Sequence, residues 1–138
     1  MPVEESDSLR DACDEYGLDL ILMVAPDTCT DEERLNRVRD HVSGFVYVQA
    51  WTESTGQREC TNEQVETMLS RLDGFSVPKA VGFGISKPEH AKEYVQIGAD
   101  GVIVGSELVD RIESGVEIGA DSTLVADGLE SNARLLKA

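Results

Sequence analysis

The sequence predicts an α/β chain in which four parallel strands alternate with helices. Short, nearly continuous apolar runs recur near residues 18, 45, 79 and 100. A stretch with helical apolar spacing follows each run, and capping residues stand at the changeovers. Strand–helix–strand alternation of this kind builds parallel βαβ units. The 138 residues suit a single domain. They fall well short of the about 250 residues typical of a complete (β/α)8 barrel.

The elements follow in order. From Glu4 to Tyr16, the residues Leu9, Ala12, Cys13 and Tyr16 share one helical face, and Gly17 supplies the stop. Leu18 to Ala25 is apolar almost throughout, as a parallel strand covered on both faces would be, and Pro26 ends it. Thr30 and Glu33 form a capping-box pair before a helix whose inner face is Leu35, Val38 and Val42. Phe45 to Trp51 is the second strand, and a polar loop follows from Thr52 to Cys60. Thr61 and Gln64 cap the next helix, which buries Val65, Met68, Leu69 and Leu72. Lys79 to Ile85 is the third strand. Ser86 with Glu89 caps its helix and Gly98 ends it. Asp100 to Val104 is the fourth strand, and Ser106 to Ser114 a short helix with Leu108, Val109 and Ile112 inward. A Gly-containing polar tail leads to a last helix over Leu129 to Leu136. One domain is therefore expected over 1–138: a leading helix in 1–17, four strand–helix units in 18–114, and a C-terminal tail and helix in 115–138.

Composition narrows the function. Asp and Glu number 27 against 12 Lys and Arg, a formal net charge of −15. Such a field opposes binding to nucleic acid or an anionic membrane, both of which need basic surface. It fits either a high-salt cytoplasm, where surface charge is screened, or an ordinary acidic soluble protein. No apolar run approaches the about 20 residues of a membrane span. The acidic N-terminus does not read as a signal peptide, so a cytoplasmic location is expected. Cys13, Cys29 and Cys60 form neither a CxxC pair nor a metal-ligand spacing. They read as free thiols, and no metal or cofactor is expected.

Ligands of parallel α/β proteins bind beyond the carboxyl ends of the strands. There the sequence places small residues: Thr55-Gly56 after the second strand, Gly82-Phe83-Gly84 after the third, Gly105-Ser106 after the fourth. Glycine permits close backbone approach, and a helix N-terminus offers unpaired N–H groups to a phosphate. Either Gly84 or Gly105 alone also suits plain turn geometry; the pair at consecutive strand ends favours phosphate. No Lys or Arg lies in 82–86 or 105–106, so backbone amides would carry the binding. Tyr47 and Gln49 alternate with Val46 and Val48, so Tyr47 either lines a pocket or packs in the core. Asp19 and Asp100, at strand starts, read as structural. His41, His90, Glu53 and Glu59 read as solvated.

These segments resemble a known family. Pro2-Val3-Glu4-Glu5, Gly17 to Thr28, Ser43 to Val48, Ala80 to His90 and Gly98 to Ser106 run in register with tryptophan synthase α chains. The resemblance implies half of a (β/α)8 barrel, its fifth to eighth strands. The implied activity is cleavage of indole-3-glycerol phosphate to indole and glyceraldehyde 3-phosphate in tryptophan biosynthesis, beside a pyridoxal-phosphate-dependent β chain. It implies phosphate contacts at Gly56, Gly84, Gly105 and Ser106, and a substrate pocket with Tyr47 and Phe83. Glu53 stands where the family usually has glycine. The family's two catalytic carboxylates come from its second strand and the following loop, a segment with no counterpart here, so no catalytic residue is assigned and the chain alone is expected to be inactive. The rival readings are a phosphate-ester-binding or β-chain-docking half-barrel without catalysis, another phosphate-handling barrel enzyme, and a fragment without independent function. A half-barrel leaves two open strand edges, Leu20 to Val24 and Gly101 to Val104, which invite pairing. A second copy, an N-terminal half, or a rearrangement of the first and last helices is expected to cover them, and a small phosphorylated substrate is the expected ligand.

Overall fold

A computed structural model describes residues 3–52, 58–82 and 88–137. Four strands, β1 (Leu22–Val24), β2 (Val46–Gln49), β5 (Lys79–Gly82) and β6 (Gly101–Ile103), form a parallel sheet in the order β1-β2-β5-β6. Strand order equals chain order, so every crossover has the same sense, and right-handed crossovers then place the helices on one face. The alternation of burial agrees. Val24, Val46, Val48 and Val81 are fully buried beneath the helices, whereas Met23, between Leu22 and Val24, is 52% exposed. The expectation of a strand covered on both faces is thus corrected. Ile21 and Met23 are apolar and largely exposed on the inner face.

The helices lie largely where capping chemistry put them. After a 3-10 turn (Val3–Glu5), α1 (Asp7–Tyr16) ends at Gly17, whose φ of 65° is the left-handed conformation glycine tolerates. Leu18 N–H closes the cap on Cys13 O at 2.9 Å. The apolar stripe of α1 is present but not buried: Tyr16 is 73% exposed, and only Cys13 joins the core. Pro26 ends β1 and also begins α2 (Pro26–Thr30). Thr30 is not the cap of α3 (Glu32–His41). Its hydroxyl is spent on Asp27 O at 2.8 Å, and Asp31 caps instead, accepting from Glu33 N and Arg34 N at 3.1 Å each.

The strand expected from Leu18 to Ala25 is shorter because Ser43 captures its first half. Leu20 N–H donates to Ser43 Oγ (2.9 Å) and Ser43 N–H to Leu20 O (3.0 Å). Trp51–Thr52 (β3) and Arg58–Glu59 (β4) form a two-stranded antiparallel ribbon where a plain loop was expected. α4 (Asn62–Arg71) carries the expected box: Gln64 N–H donates to Thr61 Oγ1 (3.3 Å) and Thr61 N–H to Gln64 Oε1 (2.9 Å). Its Val65, Met68, Leu69 and the following Leu72 are all buried. The Ser86 cap falls outside the described residues; α5 spans Pro88–Gln96 and ends before Gly98, φ 108°.

The C-terminal part departs most from expectation. α6 runs over Ser106–Glu117 and α7 over Ser122–Lys137, both longer than the spacing suggested. Gly119 at φ 70° separates them, and Asp121 caps α7 by accepting from Thr123 N and Leu124 N. Val109 and Ile112 do not face inward; they are 52% and 43% exposed. The row that packs on α7 includes Gly115, where a side chain would collide with Val125. Leu35, 1% exposed, is central to the helix-covered core. Leu35→Ala should lower unfolding free energy by about 2–5 kcal/mol, measured by denaturant titration.

Candidate functional site

Register sets the composition of the inner face. Parallel neighbours point the same way, so Met23, Tyr47, Ala80 and Gly101 form one row, and Gln49, Gly82 and Ile103 the next toward the strand carboxyl ends. Side chains are large at β1 and β2 and small at β5 and Gly101. Tyr47, half-buried, uses that space: its phenol lies across Gly82, where an added Cβ would overlap the ring. Burial pushes the Tyr47 phenol above its ordinary value. Of the two roles open to Tyr47, the geometry favours lining the open inner face over packing in the covered core.

Small residues meet at the carboxyl ends. β5 and β6 are adjacent there, Gly82 beside Ile103. The chain then passes through Val104 to Gly105, the N-cap of α6, with Ser106 in its first turn. Leu108 N and Val109 N both donate to Gly105 O, at 2.9 and 3.2 Å. The earlier N–H groups of a helix have no intrahelical acceptor and suit an anion. Gly56, Phe83 and Gly84 lie outside the described residues. A cleft of about 210 Å³ opens at the carboxyl ends of β1 and β2, bordered by Met23, Ala25, Thr28, Arg34 and Gln49 among others. Its Arg34 was not anticipated from sequence, since it sits in a helix eight residues after Pro26.

Other candidates resolve into structure. Asp100 Oδ2 accepts from Lys79 N–H at 2.8 Å, joining the starts of β6 and β5 as expected of a structural carboxylate. His41 is not solvated; it is 8% exposed. Ser6 Oγ donates to Val3 O at 2.6 Å and lies 2.7 Å from His41 Nδ1, while His41 Nε2 lies 3.3 Å from Asp7 Oδ1. This cluster pins α1 to the end of α3, away from the strand carboxyl ends, and reads as a clamp. Its helical neighbours Arg39 and Asp40 gave no sequence signal that His41 would turn inward. Cys29 and Cys60 are buried free thiols. Among the described residues no group of three His, Cys, Asp or Glu side chains could hold a metal ion.

With that geometry in view, comparison with known proteins is direct. The family model for the tryptophan synthase alpha chain matches residues 1–137. The chain belongs to the tryptophan synthase alpha chain family. It is 52% identical over 137 residues to the Haloferax volcanii alpha chain and 55% identical to that of Natronomonas pharaonis; each match takes in 99% of this chain and 49% of the relative. The chain thus spans about half the length of these relatives. Among solved structures, a Legionella pneumophila tryptophan synthase subunit alpha superposes with a TM-score of 0.77 at 28% identity, over 99% of this chain and 49% of that one. The tryptophan synthase complex of Pyrococcus furiosus gives 0.74 at 26% identity, with 99% and 50% covered. Half of a family barrel, with four parallel strands alternating with helices, is therefore the fold.

Two measurements test this geometry. Gly82→Ala should displace the Tyr47 ring, changing its near-ultraviolet circular dichroism. The stability loss should be below the about 1–3 kcal/mol of core overpacking, because the atoms met are the far end of the Tyr47 side chain rather than backbone. Burial, with a smaller opposing effect from Arg71 and a reinforcing one from Asp27, pushes the Cys29 thiol from 9.0 up to about 11. Cys29 should therefore resist a disulfide reagent at about pH 8 until the protein unfolds. Because the folded value is raised, its contribution to stability is full below 9.0 and lost as pH climbs toward about 11.

Proposed function

We infer that this chain is the phosphate-binding half of a tryptophan synthase alpha-type lyase, corresponding to the fifth to eighth strands of the barrel. The observation that carries the reading is the adjacency of small strand ends at β5 and β6 to the N-terminus of α6, in a chain of this family. Gly105 and Ser106, with Gly56 and Gly84, would hold the phosphate of indole-3-glycerol phosphate through backbone N–H groups. Tyr47 and Phe83 would border the indole-glycerol portion on the inner face. Cleavage needs an acid and a base within hydrogen-bond reach of the substrate. The described inner face presents Met23, Tyr47, Gln49, Ala80, Gly101 and Ile103, none of them a carboxylate.

The missing groups would come from whatever completes the barrel. Exposed apolar side chains at both ends of the sheet support such a partner: Leu9, Tyr16 and Leu18 beside β1, Val109, Ile112 and Val116 beyond β6. The partner that fits the half-length match is an N-terminal half; a second copy is the alternative. Docking on a β chain is part of the same reading, because the relatives in the Pyrococcus furiosus α2β2 complex do so. A cytoplasmic location accompanies it.

The test is a steady-state assay with indole-3-glycerol phosphate. The chain alone should release indole at the uncatalysed rate, and adding a separately expressed N-terminal half of a haloarchaeal relative should restore turnover. Normal turnover by the chain alone would refute the division of labour.

A further inference from the structure

We propose that Arg111 is a positioning residue for the phosphate site, holding the carboxylate of Glu107 away from the mouth of α6. The inference rests on the phosphate reading above and extends it to residues one and two turns into α6 and on α7. Glu107 is the second residue of α6. An acidic side chain in a first turn is attracted to the same unpaired N–H groups and positive dipole end that would take a phosphate. It is therefore a built-in competitor, and in a chain of net charge −15 a second anion there is poorly tolerated.

The structure shows where that carboxylate goes. Arg111 Nε donates to Glu107 Oε1 at 2.7 Å across one helical turn. The Glu107 side chain is only 19% exposed, folded against the α6–α7 groove rather than reaching past Ser106. Arg111 is the one cation among the residues lining that groove, a cleft of about 530 Å³ that also includes Asp110. Asn132 on α7, itself 5% exposed, meets the Nε–Nη2 edge of the same guanidinium. With the Asn132 amide turned oxygen-first, that oxygen accepts from Arg111 Nη2 at 2.9 Å and lies 3.0 Å from Nε, whose single hydrogen it shares with Glu107. A surface i,i+4 pair alone would hold its partners weakly. A buried amide gripping the cation from α7 makes this one directional. The C-terminal helix, packed on α5 and α6, thereby sets the charge presented at the α6 mouth.

Calorimetric binding of glycerol 3-phosphate to the full chain, at low and high KCl, tests the idea. Native protein should bind. Arg111→Gln should weaken binding by about fivefold, the scale of a charge at a helix terminus. The loss should shrink as KCl screens the freed carboxylate, which a merely structural defect would not do. Glu107→Gln should bind at least as tightly as native, and Glu107→Gln/Arg111→Gln should match Glu107→Gln. If Arg111→Gln melts α6, the Glu107→Gln variant still decides: weaker binding would mean that Glu107 helps the site and would overturn the proposal. Native binding with no loss in Arg111→Gln, or no rescue in the double variant, overturns it while leaving the phosphate reading intact. No binding by the native chain removes the phosphate reading and this proposal together.

Discussion

A parallel sheet is stable when both of its faces are covered, and this chain covers one. Valines at β1, β2 and β5 are sealed under the helices, with Leu35 and Leu72 closing the layer. On the other face Met23 stands half exposed and the Tyr47 ring lies across Gly82. Among the described residues no strand pairs with the outer side of β1 or β6. The rest of the molecule depends on that asymmetry. The apolar stripes on α1 and α6 stay largely exposed, Tyr16 and Val116 most of all. The candidate site is a half-site because a barrel's ligand lies between strand ends drawn from its whole circumference.

Electrostatics impose the second condition. A chain with 27 acidic and 12 basic residues cannot recruit a phosphate by its overall field. The proposed binding at the strand ends would come from local dipoles such as the first turn of α6. Such dipoles act over short range, so the placement of nearby fixed charges matters more than their number. The Glu107–Arg111–Asn132 linkage is notable in that light, since it controls one charge at the helix end from a residue in the last helix. The most similar relatives include haloarchaeal proteins, and a salt-rich medium would weaken the long-range repulsion while leaving such contacts largely in place.

Legibility in the sequence followed the range of the interaction. The box at Thr61 and Gln64 involves residues three apart and was readable; so was Gly17, whose left-handed φ ends α1. Thr30 and Asp31 offered two adjacent caps, and the choice fell to Asp31 because α2, a short helix not evident from spacing, had already engaged the Thr30 hydroxyl. The α6–α7 corner was underestimated because Gly115, Gly119 and Gly128 resemble a loop. In the fold Gly119 makes the turn and Gly115 lets α7 approach. Of the proposed site residues, the sequence placed Gly105 and Ser106 at the start of a helix and Tyr47 within a strand, where they lie.

Periodicity and local capping in the sequence by themselves determined four parallel strand–helix units with small residues at their ends, and motifs in register carried the resemblance to the family. They did so because each is a matter of near neighbours along the chain. Only the tertiary structure decided which apolar stripes are buried, that His41 turns inward to Ser6, and that Arg111 draws Glu107 aside. Those outcomes depend on what packs opposite a residue, and a sequence pattern records which face is apolar but not what covers it.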